Sequence, residues 1–571
     1  MHRISLFSYL LLGSILTAAS SSSKCKCFPG DACWPSPTEW AAFNSTVGGR
    51  LIETIPLGSP CHDPNYDAEL CASLQDQWLD SGIHMTSSSS VMAPFFANQS
   101  CDPFQPAERP CSLGNYVRYT VNATGSDDVI AAVNFAQERN LRFVIRGTGH
   151  DYLGRSTGAG ALSIWTYHLK STEPQDWKDS SYEGKALKFG AGIQGFEALK
   201  AAADLGLVVV GGECPTVGLA GGYTQGGGHS ALSTNFGLAA DNTLSFEVVT
   251  ASGELVTASR SQNTDLYWAL SGGGPGNYGV VVSMTVKAHP DTVVSGVKFS
   301  VAVDETQTPD KVFEAVDVWH ASIAEIVDSG VMVIYFFGTG FLQFPALTAY
   351  GKTQSELKEI LSSFLTKLES LGLTYSVTYT EFPSYFDHYD HYWGPLPLGN
   401  IQVGTSQYGG RLIKRSQFSG FGETARALAA EGVTFIGVGT DVSRFGADNS
   451  VLPAWRESIV QATLSVPWNF TAPWSEGLEV QKKITEVAQP IIEAATPGSG
   501  AYMNEADWRQ PNFQEAFFGS NYEKLLQVKR KWDPKSLFYA VAAVGSEGYV
   551  VQEDGRLCET RDEDTPAHVE L

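Results

Sequence analysis

Positive charge is scarce in this chain. With 38 Lys and Arg against 61 Asp and Glu in 571 residues, the formal net charge is -23, which repels nucleic-acid phosphates and anionic lipid surfaces at long range. Nucleic acid and acidic membranes are excluded as partners. Long apolar runs are also missing: the stretch from Ile4 to Leu16 is shorter than the ~20 residues a spanning helix needs, and no later segment qualifies. The basic start before it, and Ala18, Ala19 and Ser20 after it, make residues 1–19 a secretory signal rather than a signal anchor. Cysteine is almost absent from the body of the chain. Cys25, Cys27, Cys33, Cys61, Cys71, Cys101 and Cys111 crowd the first fifth, Cys558 stands near the end, and Cys214 is alone between them. Eight cysteines are expected to pair in an oxidising compartment, leaving Cys214 free; their connectivity is not legible. No histidine accompanies Cys25, Cys27 and Cys33, so they read as disulfide partners and not as metal ligands.

What is present is enough apolar residue, 43% of the chain, for two or three cores. Sequons at Asn44, Asn98, Asn122 and Asn469 suit a secreted glycoprotein. Residues 20–112, rich in Cys, Pro, Ser and Asn, read as a stapled extension that is mostly loop. Residues 113–292 alternate short β-rich runs with helical patterns. One predicted helix starts at Ser126 with Val129, Ile130, Val133 and Ala136 on one face, and the strands SFEVVTA and GELVTA flank the turn Ser252-Gly253. Residues 293–499 read as an antiparallel sheet backed by helices; in the clearest helix, from Ser355 to Leu371, Thr353 and Glu356 make a capping box. The expected class is therefore α+β, two-domain. Residues 500–545 are read as a helical stretch and 546–571 as a poorly ordered acidic tail.

Three glycine clusters compete for a ligand. Gly190, Gly192 and Gly195 make a GxGxxG between a predicted strand and a helix, with Glu213 about twenty residues on, which imitates a nicotinamide-dinucleotide fingerprint. Two denser clusters flank it and are preferred. In RGTGHDYLG (Arg146 to Gly154), Gly147, Gly149 and Gly154 let backbone amides approach an anion, and Arg146 supplies charge. In GGECPTVGLAGGYTQGGGHS (Gly211 to Ser230), Gly218, Gly221, Gly222 and Gly226, Gly227 and Gly228 exceed what a connector requires. Each cluster carries one reactive side chain, His150 and Cys214, as a buried planar cofactor held by covalent bonds requires.

These two segments resemble the berberine-bridge-enzyme-like flavoproteins of the vanillyl-alcohol-oxidase superfamily, with a PCMH-type FAD-binding domain, and in particular fungal secreted members of the isoamyl alcohol oxidase branch. The resemblance covers Leu113 to Pro290 and the piece from Tyr502 to Ala540. It implies FAD bonded twice, by His150 to the 8α carbon and by Cys214 to ring carbon 6. Around His150 it implies contacts from Thr148, which replaces a usual glycine, and Asp151, which replaces a usual serine. Around Cys214 it implies contacts from Pro215, Thr216, Val217 and His229. Leu238, Asp241 and Asn242 in LAADN, and Gly279 and Val280 in GGGPGNYGVV, look like segments lining the ring and the adenosine.

The implied reaction is oxidation of an alcohol, a sugar hydroxyl or a natural-product scaffold, the substrate being small or oligosaccharide. Oxygen is reduced to hydrogen peroxide, or a quinone or other acceptor takes its place in a dehydrogenase. Where many relatives have Y-x-N-Y, this chain has Tyr502, Met503, Asn504 and Glu505. Glu505 or Tyr502 is the candidate base, with Asn504 at the flavin; alternatively Glu505 caps or salt-bridges a following helix. Tyr389, Tyr392 and Trp393, in an aromatic run read as a loop, and Arg411 are candidate substrate contacts. His388 and His391 in that run have metal-like spacing, but no metal is expected.

Overall fold

The computed structural model describes residues 25–446 and 448–560. The segment read as a secretory signal and the last residues of the acidic tail lie outside them. The chain is α+β and builds three principal sheets.

The first has four strands in the order Leu51–Glu53, Tyr119–Asn122, Leu162–Trp165, Phe143–Arg146. The last three run parallel, and helix Ser126–Glu138 connects two of them with Val129, Val133 and Ala136 buried. The second is a five-stranded antiparallel sheet, Thr172–Lys178, Glu183–Gly190, Val280–Lys287, Thr243–Val249 and Leu255–Ser259. Its last two strands form the hairpin expected around Ser252-Gly253.

The third sheet is antiparallel with seven strands, in the order Ser376–Phe382, Val294–Ala302, Phe341–Tyr350, Met332–Gly338, Thr434–Gly439, Ser458–Pro467, Ser406–Lys414. Helices Pro309–Asp328, Gln354–Ser370 and Phe421–Ala430 share one core with it, centred on Trp319, Phe344, Phe364 and Phe435. Helix Gln354–Ser370 begins with the reciprocal box predicted for it, Glu356 N–H donating to Thr353 Oγ1 and Thr353 N–H to Glu356 Oε2. Helix Tyr385–Trp393 packs near this sheet, and a Cβ on Gly296 would lie 2.7 Å from the ring of its His388.

Several sequence readings need correction or refinement. The extension is mostly loop, as read, but it also contains helices Pro37–Thr46 and Ala68–Gln77 and lends strand Leu51–Glu53 to the first sheet. Ser36, Pro37 and Glu39 form a full capping box, a signal present in the sequence. The aromatic run is a helix, not a loop, because Ser384 caps it through the Asp387 N–H. The helical stretch from Ala501 starts late: residues 502–512 turn irregularly before helical turns begin at Phe513 and run through Gln514–Phe518 to helix Tyr522–Trp532. The described part of the acidic tail is ordered, as the hairpin Tyr549–Val551 and Leu557–Glu559, fixed by the disulfide Cys25–Cys558. The other pairs are Cys27–Cys33, Cys61–Cys71 and Cys101–Cys111, and Cys214 is free.

Candidate functional site

The parallel strand Phe143–Arg146 ends where the chain must turn sharply, and Gly149 supplies the turn at φ +89°. His150 follows at the edge of a cavity containing about 1540 Å³ of space free of protein atoms, counted with its mouth. The Cys214 segment meets it there. His150 Nε2 lies 2.7 Å from Thr216 Oγ1, and Cys214 Sγ lies 3.6 Å from the same oxygen. One buried hydroxyl thus gathers both reactive side chains. Burial, then His84 and Arg146, push the His150 imidazole down to about 3, so it is neutral. Burial pushes the Cys214 thiol up, with Thr216 offsetting part of the effect.

The segment is held from behind by the helix that the GxGxxG pattern starts. Gly195 N–H donates to Val217 O and Phe196 N–H to Pro215 O, so these amides at the helix N-terminus hold the Cys214 loop and not a phosphate. Gly190 lies in an antiparallel strand, and a Cβ there would be 2.2 Å from Leu169 O. The nicotinamide reading fails on both counts.

An acid–imidazole–acid cluster also lines the cavity. His229 Nε2 donates to Glu505 Oε1 at 2.9 Å, while Nδ1 stands 3.2 Å from Glu213 Oε2 in ion-pair geometry. Thr463, on strand Ser458–Pro467, donates to Glu505 Oε2 at 3.1 Å. Burial pulls the imidazole down, but Glu213 and then Glu505 outweigh it and hold His229 well above the usual range. Burial likewise pushes Glu505 up, and His229 outweighs it, so the carboxyl sits below its ordinary value, ionised. Tyr502 is raised by burial and by Glu505, and remains a phenol. Asn504 Nδ2 donates to Tyr502 Oη and Gly222 O, each at 2.8 Å, tying the turn to the glycine segment. The turn can approach strand Ser406–Lys414 because Gly410 has no side chain: a Cβ there would sit 2.1 Å from Glu505 O. Tyr152 and Tyr408 stack at 4.2 Å between centroids near this wall, and Ile401, Gln402 and Val403 extend it.

Of the sequence candidates, Gly147, Thr148, Gly149, Asp151, Val217, Gly218, Gly221, Gly222, Gly279, Tyr502 and Asn504 line the cavity with His150, Cys214, His229 and Glu505. Others do not, for stated reasons. The Arg146 guanidinium turns away and donates to the carbonyls of His84, Ser87 and Ser90, serving the extension. The cation at the cavity is Arg155, which also donates to Val541 O and Ala542 O. Pro215 and Thr216 stand just behind the lining, and Gly154 packs on Phe96. Gly226, Gly227, Gly228, Leu238, Asn242 and Val280 lie behind the wall, and Asp241 is spent on an ion pair with Arg456 at 2.7 Å. Tyr389 donates to Gly212 O and Glu213 O, bracing the loop instead of facing substrate. Tyr392 and Trp393 are buried in its helix, and Arg411 is held by Thr496. Glu505 faces His229, with no helix for it to cap. Sequence reasoning missed Tyr152, Tyr408 and Arg155, which no local pattern marks, and used Glu213 only as a nicotinamide-site acid.

The residues fit a flavin. They provide a neutral imidazole, a free thiol and an open backbone edge: a Cβ on Gly221 meets nothing within 4 Å. The buried Gln225 Oε1 at the wall has no partner among the described residues. Comparison with known proteins agrees. Residues 117–259 match the family described as FAD binding domain, and residues 501–545 match the one described as berberine and berberine like. The chain is 56% identical over 555 residues to the FAD-linked oxidoreductase ZEB1 of Gibberella zeae, covering 96% of this chain and 98% of the relative. The crystal structure of the VAO-type flavoprotein MtVAO615 from Myceliophthora thermophila C1 superposes with a TM-score of 0.91 at 41% identity, covering 94% and 100% of the two chains. A glucooligosaccharide oxidase from Acremonium strictum, described as carrying 6-S-cysteinyl, 8α-N1-histidyl FAD, shares the fold with a TM-score of 0.62 at 17% identity, covering 75% of this chain and 92% of its own.

Proposed function

This chain belongs to the berberine-bridge-like FAD-linked oxidoreductases of the vanillyl-alcohol-oxidase superfamily, and from that premise we propose that it is a secreted oxidase holding FAD through both His150 and Cys214. Its donor is an alcohol, a sugar hydroxyl or a hydroxylated natural product. When bound, the flavin supplies a two-electron acceptor for a hydride from the donor carbon and returns the electrons to oxygen as hydrogen peroxide.

The observation that carries this reading is the placement of Glu505, an ionised carboxylate facing the cavity that holds His150 and Cys214. Glu505 takes the donor's hydroxyl proton, which leaves the carbon–hydrogen bond electron-rich and ready to lose hydride. The His229 imidazolium, clamped by Glu213, keeps the carboxylate charged in a buried place and fixes its direction. Thr463 orients the second carboxylate oxygen, and Asn504 fixes the turn. Tyr502 contributes its hydroxyl as a neutral group. Tyr152 and Tyr408 give the donor a flat apolar wall to lie against.

Secretion is supported by the basic-then-apolar start of the chain and by the four disulfides. Among the described residues no helix is long and apolar enough to cross a membrane. Asn469, exposed between strand and helix, is the sequon most open to glycosylation, while Asn44, Asn98 and Asn122 are half-buried.

Acid precipitation of the purified protein tests the anchor: a yellow pellet is expected, with its flavin fluorescence altered by Cys214→Ala. Peroxide release from a panel of alcohols and oligosaccharides then tests the activity. Colour lost entirely to the supernatant would refute covalent attachment, and turnover seen only with a quinone would replace the oxidase by a dehydrogenase.

A further inference from the structure

The hydroxyl that gathers His150 and Cys214 does not end there. Thr216 Oγ1 donates to Ser81 Oγ at 3.1 Å, and both residues are buried, at 0% and 3% exposure. Ser81 opens helix Ser81–Met85 in the disulfide-stapled extension, outside both segments that match the flavoprotein families. A hydroxyl at the flavin anchor is thus bonded to a residue from a different part of the chain, 135 positions away.

The direction of these bonds selects a tautomer. Thr216 gives its only proton to Ser81, so its oxygen accepts from His150, and Nε2 carries the imidazole hydrogen. Nδ1 is then left with its lone pair, and among the described residues no hydrogen bond engages it. An imidazole bonded at Nδ1 to carbon cannot keep the hydrogen on Nε2 and remain neutral. That hydrogen must depart when the bond forms, and it already points at Thr216.

We propose that Thr216 and Ser81 are positioning residues for flavin attachment, a two-hydroxyl relay that fixes the His150 tautomer and accepts the proton it releases. The inference rests on the covalent reading given above. In the step, Nδ1 forms a bond to the 8α carbon and one carbon–hydrogen bond of that methyl breaks. Two protons leave, one from the methyl and one from Nε2. The second passes to Thr216, while Thr216 hands its own to Ser81 and onward to water at the helix start, where Asp80 is exposed. Two electrons pass through the flavin to oxygen, the acceptor of the proposed activity, giving hydrogen peroxide. Afterwards Thr216 turns its hydroxyl to donate to the bare Nε2, so the same side chain serves both states.

The test uses the full secreted chain with Cys214→Ala, in which His150 is the sole anchor, and reads the flavin adduct on the His150 peptide by mass spectrometry after acid precipitation and proteolysis. Acid–base assistance of this kind contributes ~10²–10⁴ in rate. The linked fraction in freshly secreted protein should therefore fall by about tenfold or more in Thr216→Val and in Ser81→Ala. It should return in Thr216→Ser, while total flavin per chain, released plus linked, stays at the parent's value. A merely structural role would lower total flavin and linkage together, which overturns the proposal, as does full linkage in Thr216→Val. If Thr216→Val fails to fold, Ser81→Ala at the far end of the relay decides. Absence of any His150 adduct in the Cys214→Ala parent would instead bring down the covalent reading itself, and this inference with it.

Discussion

In the proposed reaction Glu505 is the residue on which turnover depends. Glu505→Gln keeps the shape and the Thr463 contact but removes the proton acceptor, so kcat should fall by ~10²–10⁴ with flavin linkage intact; stopped-flow reduction of the flavin reads this directly. His229→Asn tests the electrostatics. Without the imidazolium, burial is opposed only by the hydrogen bonds from Thr463 and Gln461, and the Glu505 carboxyl moves upward. The acid limb of the kcat/KM profile, which reports protonation of the base, should then move to higher pH, whereas an unmoved limb would separate the two residues. A second buried acid bears on stability. Asp102 is fully buried with neither carboxylate oxygen bonded, and burial pushes it up to about 7, with Arg109 opposing. Its folded value exceeds the unfolded ~3.9, so the folded state binds the extra proton in between and stability falls as pH rises from about 4 to 7. Asp102→Asn should remove that loss, on the order of a few kcal/mol at pH 8. The expected signature is a Tm advantage of the variant over the parent that grows between pH 4 and pH 8.

At the scale of elements, helix Gln354–Ser370 marks what a sequence can disclose. Its apolar stripe and capping box are local: of the stripe, Leu357, Leu361, Phe364 and Leu368 are buried, Ile360 and Leu365 partly so, and Leu371 at its end is exposed. Leu361→Ala should cost about 2–5 kcal/mol by denaturant titration and leave KM unchanged, because this helix belongs to the core shared with Trp319 and not to the cavity. The glycine-rich segments were legible for the same local reason, and so were His150 and Cys214. Glu213 and His229 share one glycine-rich segment, but Glu505 comes 276 positions after His229 and nothing in that segment names it, so the cluster was not legible. Arg146 misled because a basic residue before a glycine turn looks like an anion ligand, and only the fold shows three carbonyls of the extension consuming it. The aromatic run misled because ring-rich sequence with Gly and Pro after it reads as a loop, while the Ser384 cap that starts a helix is a single side chain.

At the scale of the molecule, the disulfide Cys25–Cys558 joins the two ends of the described chain across 533 residues. A cross-link of that span restricts the unfolded chain strongly, so Cys25→Ser with Cys558→Ser should lower stability by ~2–5 kcal/mol, read as a fall in Tm, with the cavity chemistry unchanged. The order in which the catalytic pieces leave the ribosome has its own consequence. Ser81, His150, Cys214 and His229 are all made early, whereas Thr463 arrives after about four-fifths of the chain and Glu505 when nearly nine-tenths is complete. A nascent or truncated polypeptide therefore carries both proposed anchors and lacks the proposed base. Under the proposed assignment such a chain cannot turn over its donor, so repeated peroxide production, beyond the single equivalent that attachment itself releases, waits until synthesis is finished.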